Sequence, residues 1–184
     1  MLGNDLIDLQ KAAIDSNWQR KGYLEKLFSE EEKLQILNSE NPSIIVWLFW
    51  SMKEAVYKII NRETGLRFYT PIAFTCKNSV QERINLGEVH YKGEIYYTQS
   101  SITATMIHTV ALSKKQNFNA VEVVHPANTP FYVTAFNSRS STYSLTKNEH
   151  GIPELIHKNS GAKYLASVSH HGKFLAIVSL ATEN

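Results

Sequence analysis

Hydrophobic positions along this chain fall into two regimes. After a polar loop over residues 38–43 that holds Pro42, they recur every three or four residues to about Arg62, and Phe49, Met52, Val56, Ile59 and Ile60 share one ridge. That spacing predicts a long helix with a core-facing stripe. From Leu66 onward the apolar runs are short, aromatic and β-branched, separated by turn residues, which is the pattern of strands. Strands are expected over residues 67–76, 87–90, 95–99 and 103–112, then over 120–124, 131–136 and 142–145. Residues 164–170 and 174–180 flank His171-Gly172-Lys173 and predict a closing hairpin. Residues 126–130 read as a loop.

The chain opens with a short apolar run, residues 2–8, that carries two acids and reads as a strand. Asp5 and Asp8 fall on opposite faces of it, so one can face a site while the other is an outward charge or a cap. Ser29 followed by Glu32 marks a capped helix start, and the acids at 30–32 suit a first helical turn. Helices early and strands late give an α+β class. The polar stretch 113–117 is the candidate boundary between an α+β half, residues 1–113, and a mainly β half, residues 117–184.

Composition narrows the function classes. A net charge of +2 and a pI near 8.5 are too mild for a nucleic-acid-binding protein, and no basic cluster stands out. The single Cys76 excludes an internal disulfide and a cysteine-based zinc site, and fits a reducing compartment. With no basic segment followed by an apolar run at the start, and no apolar stretch of membrane-spanning length, a soluble cytoplasmic protein is expected.

Candidate chemistry gathers on the long helix. Glu54 and Lys58, four residues apart, lie on the face opposite the apolar ridge. Alone they make a solvated ion pair worth about 0.2–0.5 kcal/mol. Trp47, Trp50 and Tyr57 flank them and Ala55 leaves room beside them, the pattern of a face that is covered. A covered charge needs partners, for which phosphates and a metal ion are the candidates. Asp5 is itself unfavourable inside a strand, a hint that it serves another purpose. His170-His171 reads either as a phosphate contact or as a hairpin with one ring in and one out. Zinc is disfavoured there, because adjacent strand residues point opposite ways.

Four short motifs, Gly3-Asn4-Asp5, Trp50-Ser51-Met52-Lys53-Glu54-Ala55-Val56-Tyr57-Lys58, Gly151-Ile152-Pro153 and Ser167-Val168-Ser169-His170, then stand together. The sequence resembles the 4′-phosphopantetheinyl transferase superfamily, which carries a G-x-D strand, a W-x-x-K-E-A-x-x-K helix, a G-x-P turn and an S-x-S-H strand end. The resemblance implies an enzyme of the holo-acyl-carrier-protein synthase type. Such an enzyme moves the phosphopantetheine arm of coenzyme A onto a serine of an apo acyl or peptidyl carrier protein, with magnesium, and releases adenosine 3′,5′-bisphosphate. Fatty-acid, polyketide or peptide synthesis would supply the carrier.

By the same resemblance Asp5 and Glu54 hold the metal, Glu54 is also the candidate base for the incoming serine, and Lys58 holds a phosphate oxygen. Lys53 either does the same or snorkels at the surface. Gly151, Pro153, Ser169 and His170 would contact the nucleotide end of coenzyme A, with His170 remote from the reacting phosphorus. The fold implied is that of the superfamily, a pseudo-dimer of two α+β halves sharing one site. Their order looks permuted, because residues 117–184 resemble the portion that precedes the G-x-D strand in the larger enzymes. Those larger enzymes carry a second acid two residues after the first, where Ile7 stands here; Asp8 comes three after, as in the compact type. The alternative is a non-catalytic carrier-protein or coenzyme-A-binding module of the same fold. Ile7 favours that alternative, and Asp5, Glu54, Lys58 and His170 oppose it.

Overall fold

A computed structural model describes residues 1–65, 67–79, 84–115 and 118–180; Leu66, and Gln116 and Asn117 of the expected boundary, lie outside the described residues. The first strand, β1 (Leu2–Asp8), leads into three short helices, α1 (Leu9–Asp15), α2 (Tyr23–Leu27) and α3 (Glu30–Leu37). The long helix α4 (Pro42–Thr64) follows. Pro42 begins it at a position where no backbone donor is lost, and Gly65 ends it in the left-handed region at φ 70°. All five residues of the apolar ridge are buried, in one cluster with Val46, Leu48 and Ala55.

The strands β2 (Thr75–Ser79), β3 (Ile84–Tyr91), β4 (Glu94–Ile102) and β5 (Met106–Leu112) form an antiparallel meander, and β5 closes onto β1. The sheet order is β1-β5-β4-β3-β2, with α4 across it. The remaining elements are β6 (Val121–Val124), α5 (Tyr132–Arg139), β7 (Tyr143–Lys147), β8 (Pro153–His157), β9 (Lys163–His171) and β10 (Phe174–Leu180). They make a second antiparallel sheet in the order β6-β10-β9-β8-β7. Each sheet is thus an edge strand followed, after a helical segment of four helices in the first case and one in the second, by a four-stranded meander whose last strand returns to the edge strand.

Alternation along β1 decides what each side chain meets. Ile7 belongs to the core beneath α4, and Gly3 lies so close to that helix that a Cβ on it would collide with the Ala55 carbonyl oxygen. Leu2, on the other face, packs with Val110, Leu112 and Val178 in a cluster that joins the two sheets. There β1 runs beside β9: the Asn4 N–H donates to Ser167 Oγ at 3.1 Å and the Asp8 N–H to His171 Nδ1 at 3.0 Å.

Three expectations need correction. Residues 131–136 are not a strand, since α5 occupies 132–139 and packs Tyr132, Val133 and Phe136 against the second core. The run 67–76 is mostly not a strand either, because Pro71 opens a 3-10 turn and β2 starts only at Thr75. Strand β8 sits where only the Gly151-Ile152-Pro153 turn was expected. No helix among the described residues is long and apolar enough to cross a membrane.

Candidate active site

Two clefts lie along α4, each lined also by residues of β1 and β9, and together they are the candidate groove. One, of about 240 Å³, is lined by Asp5, Glu54, Trp47, Trp50, Tyr23 and His170 among others. The second, of about 280 Å³, takes in Lys58, Arg62, Arg67, Gly151, Pro153 and Ser167. The order of residues along α4, from Trp47 to Arg62, sets the polarity of the groove: aromatic at one end, acidic in the middle, basic at the other.

Local structure explains how the acids arrive. Asp5 faces α4 because Gly3, two residues earlier on the same face, lets the helix settle onto the strand. Its cross-strand neighbour is Thr109, whose hydroxyl shares a 2.7 Å hydrogen bond with Ser51 on the helix. Lys58 Nζ donates to the Asn4 carbonyl at 2.7 Å and to Asp5 Oδ1 at 3.3 Å. Among the described residues no ion pair joins Lys58 to Glu54, so the helix-surface pair that the spacing alone allows is not what forms.

Electrostatics then sets the two carboxyls apart from ordinary ones. Burial raises Asp5 despite the opposing charge and hydrogen bond of Lys58. Glu54 is pushed up to about 7, first by burial and then by the charge of Asp5, with Lys58 pulling the other way. Asp5 Oδ2 is buried with no hydrogen-bond partner. An unanswered carboxylate oxygen beside a second, repelling carboxyl is a donor set that a divalent cation relieves. Among the described residues no group of three or more His, Cys, Asp and Glu could hold a metal, and the carboxyls of Asp5 and Glu54 are two. That is the number magnesium uses when phosphate oxygens and water complete its octahedron.

The other expected site residues divide. His170 is exposed and lines the cleft of the two acids, while Gly151 and Pro153 line the neighbouring one with Lys58. His170 and the Gly151 turn, both expected at the nucleotide end of the coenzyme, thus line different clefts. Ser169 is buried, its hydroxyl unpartnered, and it lines neither cleft.

Lys53 is corrected outright, for it neither snorkels nor reaches the groove. It is 0% exposed, paired with Glu32 at 2.8 Å, and donates to the Leu27 carbonyl at 2.7 Å. Glu32 in turn accepts the Cys76 and Ser29 N–H groups at 2.7 Å each, so one buried knot ties α3 and β2 to α4.

Asp8 takes the capping role. Its carboxylate accepts from the Gln10 and Lys11 N–H groups at 3.1 Å, and from Lys173 N–H at 3.2 Å in the β9–β10 turn. Arg62 and Arg67 were missed as lining residues of the groove, although Arg62 stands one turn beyond Lys58 on the same helix face. Both tie the halves together: Arg62 donates to the Pro153 carbonyl at 3.0 Å and also to that of Ala166, and Arg67 to that of His150 at 2.9 Å.

Comparison with protein families finds that residues 1–111 match the model of the 4′-phosphopantetheinyl transferase superfamily, a span that carries β1, α4, both acids and Lys58. No curated protein matches the chain.

Proposed function

The chain belongs to the 4′-phosphopantetheinyl transferase superfamily, and we propose on that premise that it loads apo acyl or peptidyl carrier proteins from coenzyme A in the manner of a holo-acyl-carrier-protein synthase. The observation that carries this reading is the clustering of Asp5, Glu54 and Lys58: the two acids line one cleft, and Lys58, bonded to Asp5, lines the other. The common plan of the two sheets further supports reading residues 1–113 and 117–184 as two halves of a pseudo-dimer, their permuted order resting on the sequence resemblance alone.

Asp5 and Glu54 would hold magnesium, which when bound neutralises the pyrophosphate and the charge developing at the reacting phosphorus. Lys58, fixed by the Asn4 carbonyl and Asp5, presents its ammonium as a point charge to a phosphate oxygen on the basic side. The carrier's serine oxygen forms a bond to the phosphorus of the phosphopantetheine arm, and the bond from that phosphorus to the bridging oxygen breaks. Adenosine 3′,5′-bisphosphate leaves with those electrons. In this reading the serine proton passes to Glu54, directly or through a water. Trp47, Trp50 and Tyr23 wall the acidic cleft and limit water there. Arg62 and Arg67 make the neighbouring cleft the natural berth for the phosphorylated nucleotide.

Incubating the protein with coenzyme A, magnesium and a panel of apo carrier proteins, then weighing the carriers by mass spectrometry, tests the proposal. A gain of one phosphopantetheine is expected. Coenzyme A binding with no mass gain on any carrier would instead establish the non-catalytic module.

A further inference from the structure

His171 closes β9 one residue beyond the histidine expected at the nucleotide end, and it lines the cleft of Asp5 and Glu54. Side chains alternate along a strand, so Ser167, Ser169 and His171 share the face of β9 that meets β1. Ser167 accepts the Asn4 N–H there through its hydroxyl, and His171 accepts the Asp8 N–H through Nδ1 at 3.0 Å. The turn that follows is pinned to the same place. Gly172 lies so close to the Asp8 carboxylate that a Cβ on it would collide, and the Lys173 N–H donates to that carboxylate at 3.2 Å. The ring is thus fixed by its own bond and by the turn behind it.

That bond also sets the tautomer. A neutral imidazole has one acceptor nitrogen and one donor, so a ring that accepts at Nδ1 carries its proton on Nε2. Among the described residues Nε2 has no hydrogen-bond partner, and it is not buried. The ring spends its acceptor on the fold and keeps its donor open, at the wall of the cleft. Holding β1 does not require this, for Ser167 answers the corresponding amide with a hydroxyl alone. An open N–H cannot bind a cation recruited by the two acids. It can bind an anionic oxygen that arrives with that cation.

We propose that His171 is a substrate-contacting residue whose Nε2–H donates a hydrogen bond to an oxygen of the pyrophosphate seated beside Asp5 and Glu54. This rests on the reading of the groove as a coenzyme A site. Lys58 belongs to the first half of the chain and His171 to the second, so both halves hold the phosphates. The ring is already anchored at Nδ1, and little side-chain freedom remains to be lost when the substrate binds.

Asparagine is the discriminating replacement. Its side-chain oxygen can take the place of Nδ1 and accept the Asp8 N–H, while the shorter side chain puts no donor where Nε2 stands. His171→Ala loses both functions. The melting temperature, the Kd for coenzyme A with magnesium, and kcat/KM for carrier loading are measured for wild type and both variants, the last two where all three are folded. His171→Asn is expected to melt near wild type but to bind coenzyme A about 10- to 100-fold more weakly, the usual worth of a hydrogen bond to a charged acceptor. Its kcat/KM should fall alike. His171→Ala should bind as weakly and melt lower. Wild-type affinity in His171→Asn overturns the proposal, because the bond to Asp8 is then all that the ring provides. Equal losses of both stability and affinity in the two variants overturn it as well, since the seam then accounts for the binding. Wild type that binds no coenzyme A ends the reading of the groove and this contact together, and that result needs no variant. Should wild type bind but load no carrier, the transfer reading alone fails, and the Kd comparison still decides for or against His171.

Discussion

Lys58 pairs with Asp5, across from its own helix, rather than with Glu54 one turn below it on the same helix. The charge arrangement of the site follows from that choice. Asp5 is partly neutralised, Glu54 is left facing the cleft without a cation, and its carboxyl stands at about 7 instead of near 4.5.

The first prediction separates the two tasks assigned to Glu54. Glu54→Gln preserves size and helix propensity, so the fold should survive. A lost metal ligand is compensated by raising magnesium; a lost proton acceptor is not. A fall of about 10²–10⁴-fold in turnover is expected, only partly recovered at high magnesium. Native turnover in limiting magnesium would return Glu54 to the role of a surface charge.

His170 shares the cleft of the acids, so its loss should reach the chemistry as well as binding. His170→Ala is expected to lower kcat in addition to raising KM for coenzyme A. A change in KM alone would place the ring at the remote nucleotide end after all.

The buried knot gives a stability prediction. Lys53→Met strands the Glu32 carboxylate in the interior and should cost about 3–5 kcal/mol. The double variant Lys53→Met with Glu32→Gln removes the stranded charge and should recover much of that loss in a urea titration. If the double variant is no better than the single, the ion pair is not what the core depends on.

Acid stability isolates another buried group. His108 accepts a 3.2 Å hydrogen bond from Asn4 Nδ2, which needs a neutral ring. Burial, then the neighbouring His125 and Lys58, hold it down at about 4. Between 6.5, where the unfolded ring protonates, and about 4, the unfolded chain binds the extra proton. Stability from this residue is therefore intact above 6.5 and lost as pH falls through that window, by roughly 3 kcal/mol in all. Relative to wild type, His108→Gln should lose less stability on acidification. Taking that difference removes Glu54, whose raised carboxyl tilts the same range the other way. Parallel pH profiles for variant and wild type would show that His108 takes up its proton as readily in the fold as in the unfolded chain.

The parts of this fold legible in the sequence are those written in local periodicity: the ridge of α4, the alternation of β1, the capping box at Ser29 and Glu32, and the final hairpin. Residues 131–136 misled because Phe131, Tyr132, Val133 and Thr134 favour a strand locally, whereas packing against the second core selects a helix. Lys53 misled for a different reason. Its partner Glu32 comes from another helix, and no pattern in either segment announces that the two meet. The acids and Lys58 were legible because one helix and one strand hold them.

The seam between β1 and β9 has a consequence for how such a chain can be assembled. Backbone donors of β1 at Asn4 and Asp8 are answered there by side chains of β9, and an apolar cluster around Leu2 seals the contact. A join of that kind depends on which surfaces meet, not on which half the ribosome makes first. The intervening polypeptide mainly raises the local concentration of one half near the other. A gene broken at that boundary would then encode a two-component transferase, and its activity would fade on dilution.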